Sequence, residues 1–218
     1  MEEGDCCMKE LEHIDCMGEE KREQIVNDYD IKLIIYAKLL NGQTKKSDAH
    51  KIIKDKYYQF ECILKTDRSV IKTITCGSGA GEHLIKLANI DKPQLFNPLR
   101  NELPGGGGEG GNGTNNISKK KWDPLAKELY NAIRWLICCW DIVPYGKLLN
   151  IKEGLENFYY RPPFASRVID INKIIKNDKK GRTITQMIDE LKNENNIRDF
   201  SFERINQILK ENNIESYF

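Results

Sequence analysis

The sequence predicts an α+β protein that is predominantly helical, with one β-hairpin followed by a glycine-rich turn and a helix, then an all-helical C-terminal module. Residues 57–65 alternate apolar and polar side chains, as half-buried strands do. Residues 70–76 are rich in β-branched side chains, which favour strands. Residues 122–140 carry apolar side chains three and four positions apart, the spacing of one helix face.

The stretch PGGGGEGGNGTNN, residues 104–116, has seven glycines and no apolar side chain. Because glycine loses much backbone freedom on ordering and nothing here offsets that cost, the stretch predicts a flexible linker or an insertion. Both readings stay open, since loop-closure entropy rises slowly with length. The expected organisation is a disordered acidic arm (1–16), a helix, β-hairpin and helix module (17–103), the linker or insertion (104–120) and a helical module (121–218).

In the first module, helical spacing of apolar residues predicts a helix from about Glu19 to Leu40. A second, short helix is expected at Ser47–Lys54. The strands Tyr57–Lys65 and Val70–Cys76 are expected to pair antiparallel across a turn. A helix follows at about Gly81–Leu87.

In the second module, the strongest helix is expected to begin at Pro124, with Asp123 as its N-cap. Further helices are expected at about 151–159 and 164–176. The segments 187–200 and 205–218 share the order helix, Asn-Asn-Ile and aromatic residue, which suggests a helical hairpin with matched ends. Duplication and chance similarity both explain that likeness.

The net charge of +1 gives no global field that would favour nucleic acid or an acidic substrate. The charge is unevenly placed, however. Residues 1–30 hold three basic and eleven acidic side chains, a net of −8, and residues 31–75 hold ten basic and four acidic ones, a net of +6. The arm could fold over the basic segment and shield it, or both could be solvated surfaces.

The seven cysteines are odd in number and include two adjacent pairs, which is a poor disulfide framework. The first ten residues are acidic where a signal peptide is basic and then apolar. The apolar runs are far shorter than the roughly 20 residues that cross a bilayer. The expected setting is therefore the reducing cytoplasm, with free thiols and no membrane contact.

A run of cations with two interleaved tyrosines predicts contact with nucleic acid, because lysines neutralise phosphates and tyrosines can stack on bases. We call these ten residues the basic hairpin region. Its members are Lys45, Lys46, Lys51, Lys54, Lys56, Tyr57, Tyr58, Lys65, Arg68 and Lys72.

The glycine turn consists of Gly77, Ser78, Gly79, Ala80 and Gly81. It lies between a predicted strand and a predicted helix, the order seen in phosphate cradles. The stretch CGSGAG resembles the first motif of S-adenosylmethionine-dependent methyltransferases, which implies a cofactor loop, although Thr73-Ile74-Thr75 stands where that family has an acidic residue. A tight strand-to-helix connection is the alternative explanation.

Two further hypotheses concern thiols. Cys62, Cys76 and His83 could gather around zinc in a ββα arrangement, although the spacings match no known finger. Cys76 could instead be a thiolate nucleophile at the helix N-terminus, with His83 or His50 as its base. Two buried free cysteines and a partly exposed histidine are the ordinary alternative.

Because no catalytic constellation is complete, the sequence favours a non-enzymatic binding or regulatory protein that contacts nucleic acid or a protein partner through the basic hairpin region. One alternative is an enzyme or sensor that holds a nucleotide or S-adenosylmethionine at the glycine turn. Another is a structural or assembly subunit, oligomeric through the Trp135–Trp140 face of the helical module. The sequence favours no cofactor.

Overall fold

The computed structural model describes residues 11–92, 94–100 and 120–218, and it confirms the α+β class. The described residues form two compact units. The first comprises the residues up to Pro98 together with Trp140–Gly146, and the second comprises Leu99–Cys139 with Lys147–Phe218. The predicted linker at 104–116 and the first ten residues of the predicted arm lie outside the described residues.

Unit 1 contains six strands and two helices among its described residues. They are β1 (Glu12–His13), α1 (Glu19–Asp28), β2 (Tyr29–Lys38), β3 (Lys45–Lys46), β4 (Ile52–Ile53), β5 (Lys56–Leu64), β6 (Ile71–Gly77) and α2 (Ser78–Leu87).

The main sheet has the strand order β1-β6-β5-β2. β5 pairs antiparallel with both β6 and β2, whereas β1 pairs parallel with β6. Residues 57–62 of β5 are all buried, as expected for a central strand covered on both faces. Ile25 of α1 and Leu84 of α2 belong to one apolar core with Phe60 and Ile74 of the sheet. β3 and β4 form a separate two-stranded sheet.

The predicted helix Glu19–Leu40 is wrong beyond residue 28. The chain leaves α1 at Asp28 and continues directly as β2, which pairs with β5 from Tyr29 to Lys38. Residues 34–37 of β2 are all buried. A short, continuously apolar run fits a buried strand as well as a helix, and pairing with β5 decides the outcome here.

Three other sequence predictions need correction in unit 1. The expected helix Ser47–Lys54 is a turn followed by β4, since His50 has a left-handed φ of 57° that interrupts a helix. The sheet has four strands rather than one hairpin. The described end of the predicted arm is ordered: the Ile14 N–H donates to the Thr73 carbonyl (3.0 Å), and Cys16 is fully buried.

Unit 2 is built from helices. They are α3 (Pro124–Trp140), α4 (Gly146–Asn157), α5 (Ala165–Lys176), α6 (Ile184–Lys192) and α7 (Glu203–Glu211). The predicted N-cap of α3 is confirmed, because Asp123 Oδ1 accepts a hydrogen bond from the Ala126 N–H at 3.0 Å. The middle of α3 is the centre of the core, with Leu129, Ile133 and Leu136 fully buried.

The start of α7 is stabilised by a carboxylate from another helix. Phe202 precedes α7 and supplies no side-chain cap. Glu128 of α3 accepts hydrogen bonds from the N–H groups of Arg204 (3.0 Å) and Ile205 (3.3 Å), and also from the Arg204 guanidinium (2.7 Å). A negative charge at a helix N-terminus satisfies free N–H groups and complements the helix dipole.

The Trp135–Trp140 face is buried in its first half and partly exposed in its second half. Trp135, Leu136 and Ile137 are at most 1% exposed, whereas Cys138, Cys139 and Trp140 are half-buried. The Trp135 ring meets the Phe200 ring edge-on, with centroids 5.2 Å apart. Residues 135–137 of this face are therefore packed within the chain, and assembly through the rest of the face stays a prediction.

Candidate anion-binding cleft

Helix α2 begins at the glycine turn without help from a side chain. β6 ends at Gly77, which caps the helix in an extended conformation (φ −78°, ψ 179°) and makes no side-chain cap hydrogen bond. The first N–H groups of a helix have no partner within the helix and carry a partial positive charge. The start of α2 therefore presents backbone donors that suit an anion.

Gly79 and Gly81 of the turn differ in whether the packing around them leaves room for a side chain. A Cβ added at Gly81 would lie 2.3 Å from Cδ2 of Tyr58, so α2 can lie against β5 only if residue 81 has no side chain. A Cβ added at Gly79 would meet nothing within 4 Å. Packing therefore requires glycine at position 81 but leaves open space at position 79.

That open space belongs to a cleft of about 490 Å³. The start of α2 forms one wall, through Gly77, Ser78 and Gly79. Arg22 of α1 and Lys51, next to β4, contribute positive charge to the lining. A cleft that combines free helix N–H groups, an absent side chain and two cations has the chemistry of an anion site.

Arg22 is held in a fixed orientation beside this cleft. Its Nε donates to Nδ1 of His83 at 2.8 Å, and its Nη1 donates to the Cys16 carbonyl at 3.1 Å. Sequence reasoning missed Arg22 because it stands between Glu20 and Glu23 in the most acidic part of the chain. Only the packing of α1 beside α2 places it at the cleft.

In the structure, four cations of the basic hairpin region already form ion pairs or hydrogen bonds with other residues. Lys45 pairs with Asp141, and Arg68 pairs with Asp30. The Lys65 ammonium donates to two backbone carbonyls at the end of α1, at 2.8 and 2.9 Å. Lys72 pairs with Glu12 at 2.9 Å, so one acidic residue of the predicted arm does reach a predicted phosphate ligand.

The two tyrosines of the region cannot stack on bases. Tyr57 is 2% exposed and Tyr58 is fully buried. Tyr58 instead stacks on Tyr36, with ring centroids 4.2 Å apart, and lies under Gly81. This part of the sequence prediction is wrong, because β5 is covered on both faces.

Three lysines of the region remain exposed on or next to the β3–β4 sheet, and one of them, Lys51, lines the cleft. Lys46, Lys51 and Lys54 are exposed, and among the described residues none of them forms an ion pair. Lys46 faces Ile52 across the β3–β4 pair, so the two side chains share one face of that small sheet. Ile52 is 57% exposed. Lys56, at the start of β5, is half-buried.

The geometry contradicts the nucleophile hypothesis. Cys76 is fully buried, and a hydrogen bond with Cys16, together with burial, raises the pKa of its thiol. A thiol held protonated and away from solvent is a poor nucleophile. The proposed base His83 is occupied by its hydrogen bond from Arg22. His50 lies 3.1 Å from Asp15, where it forms an ion pair when protonated.

The zinc hypothesis fails for a geometric reason. Cys62 pairs with Lys72 across β5 and β6, and Lys72 precedes Cys76 by four residues. At about 3.3 Å per residue, the two cysteines lie about 13 Å apart along the sheet. Within the described ranges, no group of three His, Cys, Asp or Glu residues is placed to hold a metal ion.

The fold and the cleft define a two-unit α+β protein with a candidate anion site in its first unit. The chain belongs to the family described as Uncharacterised conserved protein UCP028583, whose model matches residues 14–218. Comparisons with curated proteins and with solved structures gave no match. In the part of the chain that the structure describes, no helix has both the length and the apolar content needed to cross a membrane.

Proposed function

We propose that the protein is a non-enzymatic binding protein that contacts nucleic acid through the cleft and the exposed lysines beside it. The observation that carries this proposal is the grouping of Lys46, Lys51 and Lys54 on and next to the β3–β4 sheet, of which Lys51 lines the cleft. These lysines are exposed, as phosphate contact requires, whereas Tyr57 and Tyr58 are buried.

The contact chemistry favours the phosphate backbone over the bases. One phosphate would receive the N–H groups of α2 together with Arg22 and Lys51, and neighbouring phosphates would meet Lys46 and Lys54. Phosphate contacts give affinity and register but carry no sequence information. Binding with little sequence preference and a steep dependence on salt is therefore expected.

Fluorescence anisotropy with labelled 20-nucleotide single strands and duplexes, over a salt series, tests this proposal. Replacing Lys46, Lys51 and Lys54 by glutamine removes up to three phosphate contacts. The slope of log K against log salt for a duplex is then expected to become shallower by about 2–3, at about 0.9 per contact.

A control variant replaces Lys173, Lys179 and Lys180 of unit 2 by glutamine. These lysines are also exposed, and the replacement removes the same charge. It should retain nearly all of the binding. No binding of wild-type protein at low salt, or equal losses in both triple variants, would reject the proposed surface.

A second candidate function is a sensor or enzyme for a small phosphate-bearing ligand or S-adenosylmethionine confined to the cleft. The open space at Gly79 favours it, since a missing side chain there admits a ligand to the backbone. A nucleotide should then raise the melting temperature, and Gly79→Val should abolish that shift while the fold stays intact. Lys46→Gln and Lys54→Gln should leave it unchanged, which distinguishes this function from nucleic-acid binding.

A further inference from the structure

Unit 2 has an apolar groove of about 350 Å³ along α4 and the loop that leads to α5. Ile151 and Leu155 of α4 lie buried along it. Phe158 and Phe164 contribute its exposed aromatic lining, with 55% and 81% of their surfaces accessible. Large apolar side chains grouped at one exposed groove mark a site of interaction more often than single exposed ones do.

A glycine keeps this groove open. Gly154 lies inside α4, where glycine is less stable than alanine. A Cβ at this position would meet nothing within 4 Å, so packing within the protein does not require glycine here. Gly154 is three residues after Ile151 and four before Phe158, which places it on the groove face of the helix. Its missing side chain lets another chain approach α4 closely.

The charged residues that line the groove are all positive. Arg161 and Arg167 line it, and its lining includes no acidic residue. Within the described residues, neither guanidinium forms an ion pair with a carboxylate. The Arg161 guanidinium lies over the Tyr160 ring, 5.3 Å from its centroid, which helps to fix its position. An apolar groove flanked by two arginines complements an apolar segment that carries carboxylates.

We propose that this groove binds a short segment of a partner protein in which a bulky apolar side chain stands next to aspartate or glutamate. The apolar side chain lies over Gly154 between Phe158 and Phe164. The neighbouring carboxylates pair with Arg161 and Arg167, for which the planar guanidinium is well suited. This site lies in unit 2 and does not depend on the nucleic-acid proposal.

Selection of random 12-residue peptides displayed on phage, against the full-length protein, tests the proposal. Enriched peptides should combine Trp, Phe, Leu or Met with adjacent Asp or Glu. A synthetic, fluorescein-labelled copy of the most enriched peptide should bind by anisotropy, more weakly as salt rises.

Three variants should weaken that binding by about tenfold or more, as loss of a central contact does. They are Gly154→Leu, which fills the groove, Phe164→Ser, which removes an exposed aromatic ring, and Arg161→Gln combined with Arg167→Gln. Matched controls are Met17→Ser, which removes an apolar side chain that is 50% exposed in unit 1, and Lys173→Gln with Lys180→Gln. Circular dichroism confirms that each variant is folded.

Several outcomes would overturn the proposal. One is the absence of enrichment, and another is enrichment of basic peptides. A third is a selected peptide that binds all variants equally. Dimers in light scattering that disappear in Gly154→Leu would assign the groove to a second copy of the chain instead. The glutamine variants of Lys46, Lys51 and Lys54 must leave peptide binding unchanged, so the two proposals fail separately.

Discussion

At the scale of single residues, the glycine turn offers a matched pair of substitutions. Gly81→Ala forces a methyl group into the Tyr58 ring and should lower the free energy of unfolding by about 1–3 kcal/mol. Gly79→Ala meets open space in the first turn of α2 and should raise it by about 0.5–1 kcal/mol. Urea denaturation followed by circular dichroism measures both. Equal stability of the two variants would contradict the close approach of α2 to β5.

The thiols should differ in reactivity according to their burial. Cys62 is fully buried on β5, and burial raises its pKa to about 12. Cys138 is half-buried on α3. Brief treatment of native protein with iodoacetamide at pH 8 should therefore modify Cys138 well before Cys62, since the thiolate is the reactive form. Mass spectrometry of tryptic peptides measures how fast each cysteine is modified. Unfolding in urea should make the two rates equal.

Predictions for single residues were right where the sequence pattern alone decides the property, and wrong where contacts between distant residues decide it. Charge pattern alone identified Lys46, Lys51 and Lys54 as candidate contacts, and they are exposed. It could not show that other cations are paired, because Asp141 is 96 positions from Lys45. Alternation along 57–65 indicated one buried face, whereas a central strand buries both faces. The burial of Tyr57 could therefore not be predicted.

At the scale of secondary structure elements, Glu128 links two helices and should be sensitive to substitution. Glu128→Ala leaves the first N–H groups of α7 without their carboxylate and should lower the free energy of unfolding by about 1–3 kcal/mol. Glu128→Gln keeps an oxygen acceptor and should cost less. Amide hydrogen exchange in residues 203–211 checks both. Unchanged protection in Glu128→Ala would show that this cap contributes little.

Elements were predictable where local signals were long and consistent. α3 combines a sustained apolar stripe with Asp123 and Pro124 at its start, and all of these signals are local. β2 was missed because its apolar run fits either period, and its paired residues in β5 lie 18 to 35 positions later in the chain, from Lys38↔Lys56 to Tyr29↔Leu64. β1 is two residues long and is defined only by its pairing with β6, so no period could reveal it.

At the scale of the whole molecule, the two compact units should respond separately to core substitutions. Phe60→Ala removes a fully buried ring from unit 1 and should destabilise it by about 3–5 kcal/mol. Leu129→Ala should destabilise unit 2 by about 2–5 kcal/mol. Hydrogen exchange, resolved by peptide, should show the larger loss of protection in the mutated unit. Equal losses in both units for each variant would mean that the chain unfolds as one cooperative body.

The fold class was predictable because helical and strand periods are properties of short windows. The assignment of residues to units was not, because it depends on contacts between distant positions. Residues 140–146 run from the last residue of α3 to the first residue of α4, yet they belong to unit 1. No composition change marks them, and the glycine-rich stretch at 104–116 suggested a single division of the chain instead.

That return of the chain to unit 1 has a consequence for biosynthesis. At about 5–20 residues per second, a ribosome needs about 2–8 s to pass from Pro98 to Trp140. During this interval unit 1 lacks residues 140–146, although all of its described strands have been translated. Unit 1 is therefore completed only after all of α3 has been made, and during this delay its incomplete surface is available to a chaperone.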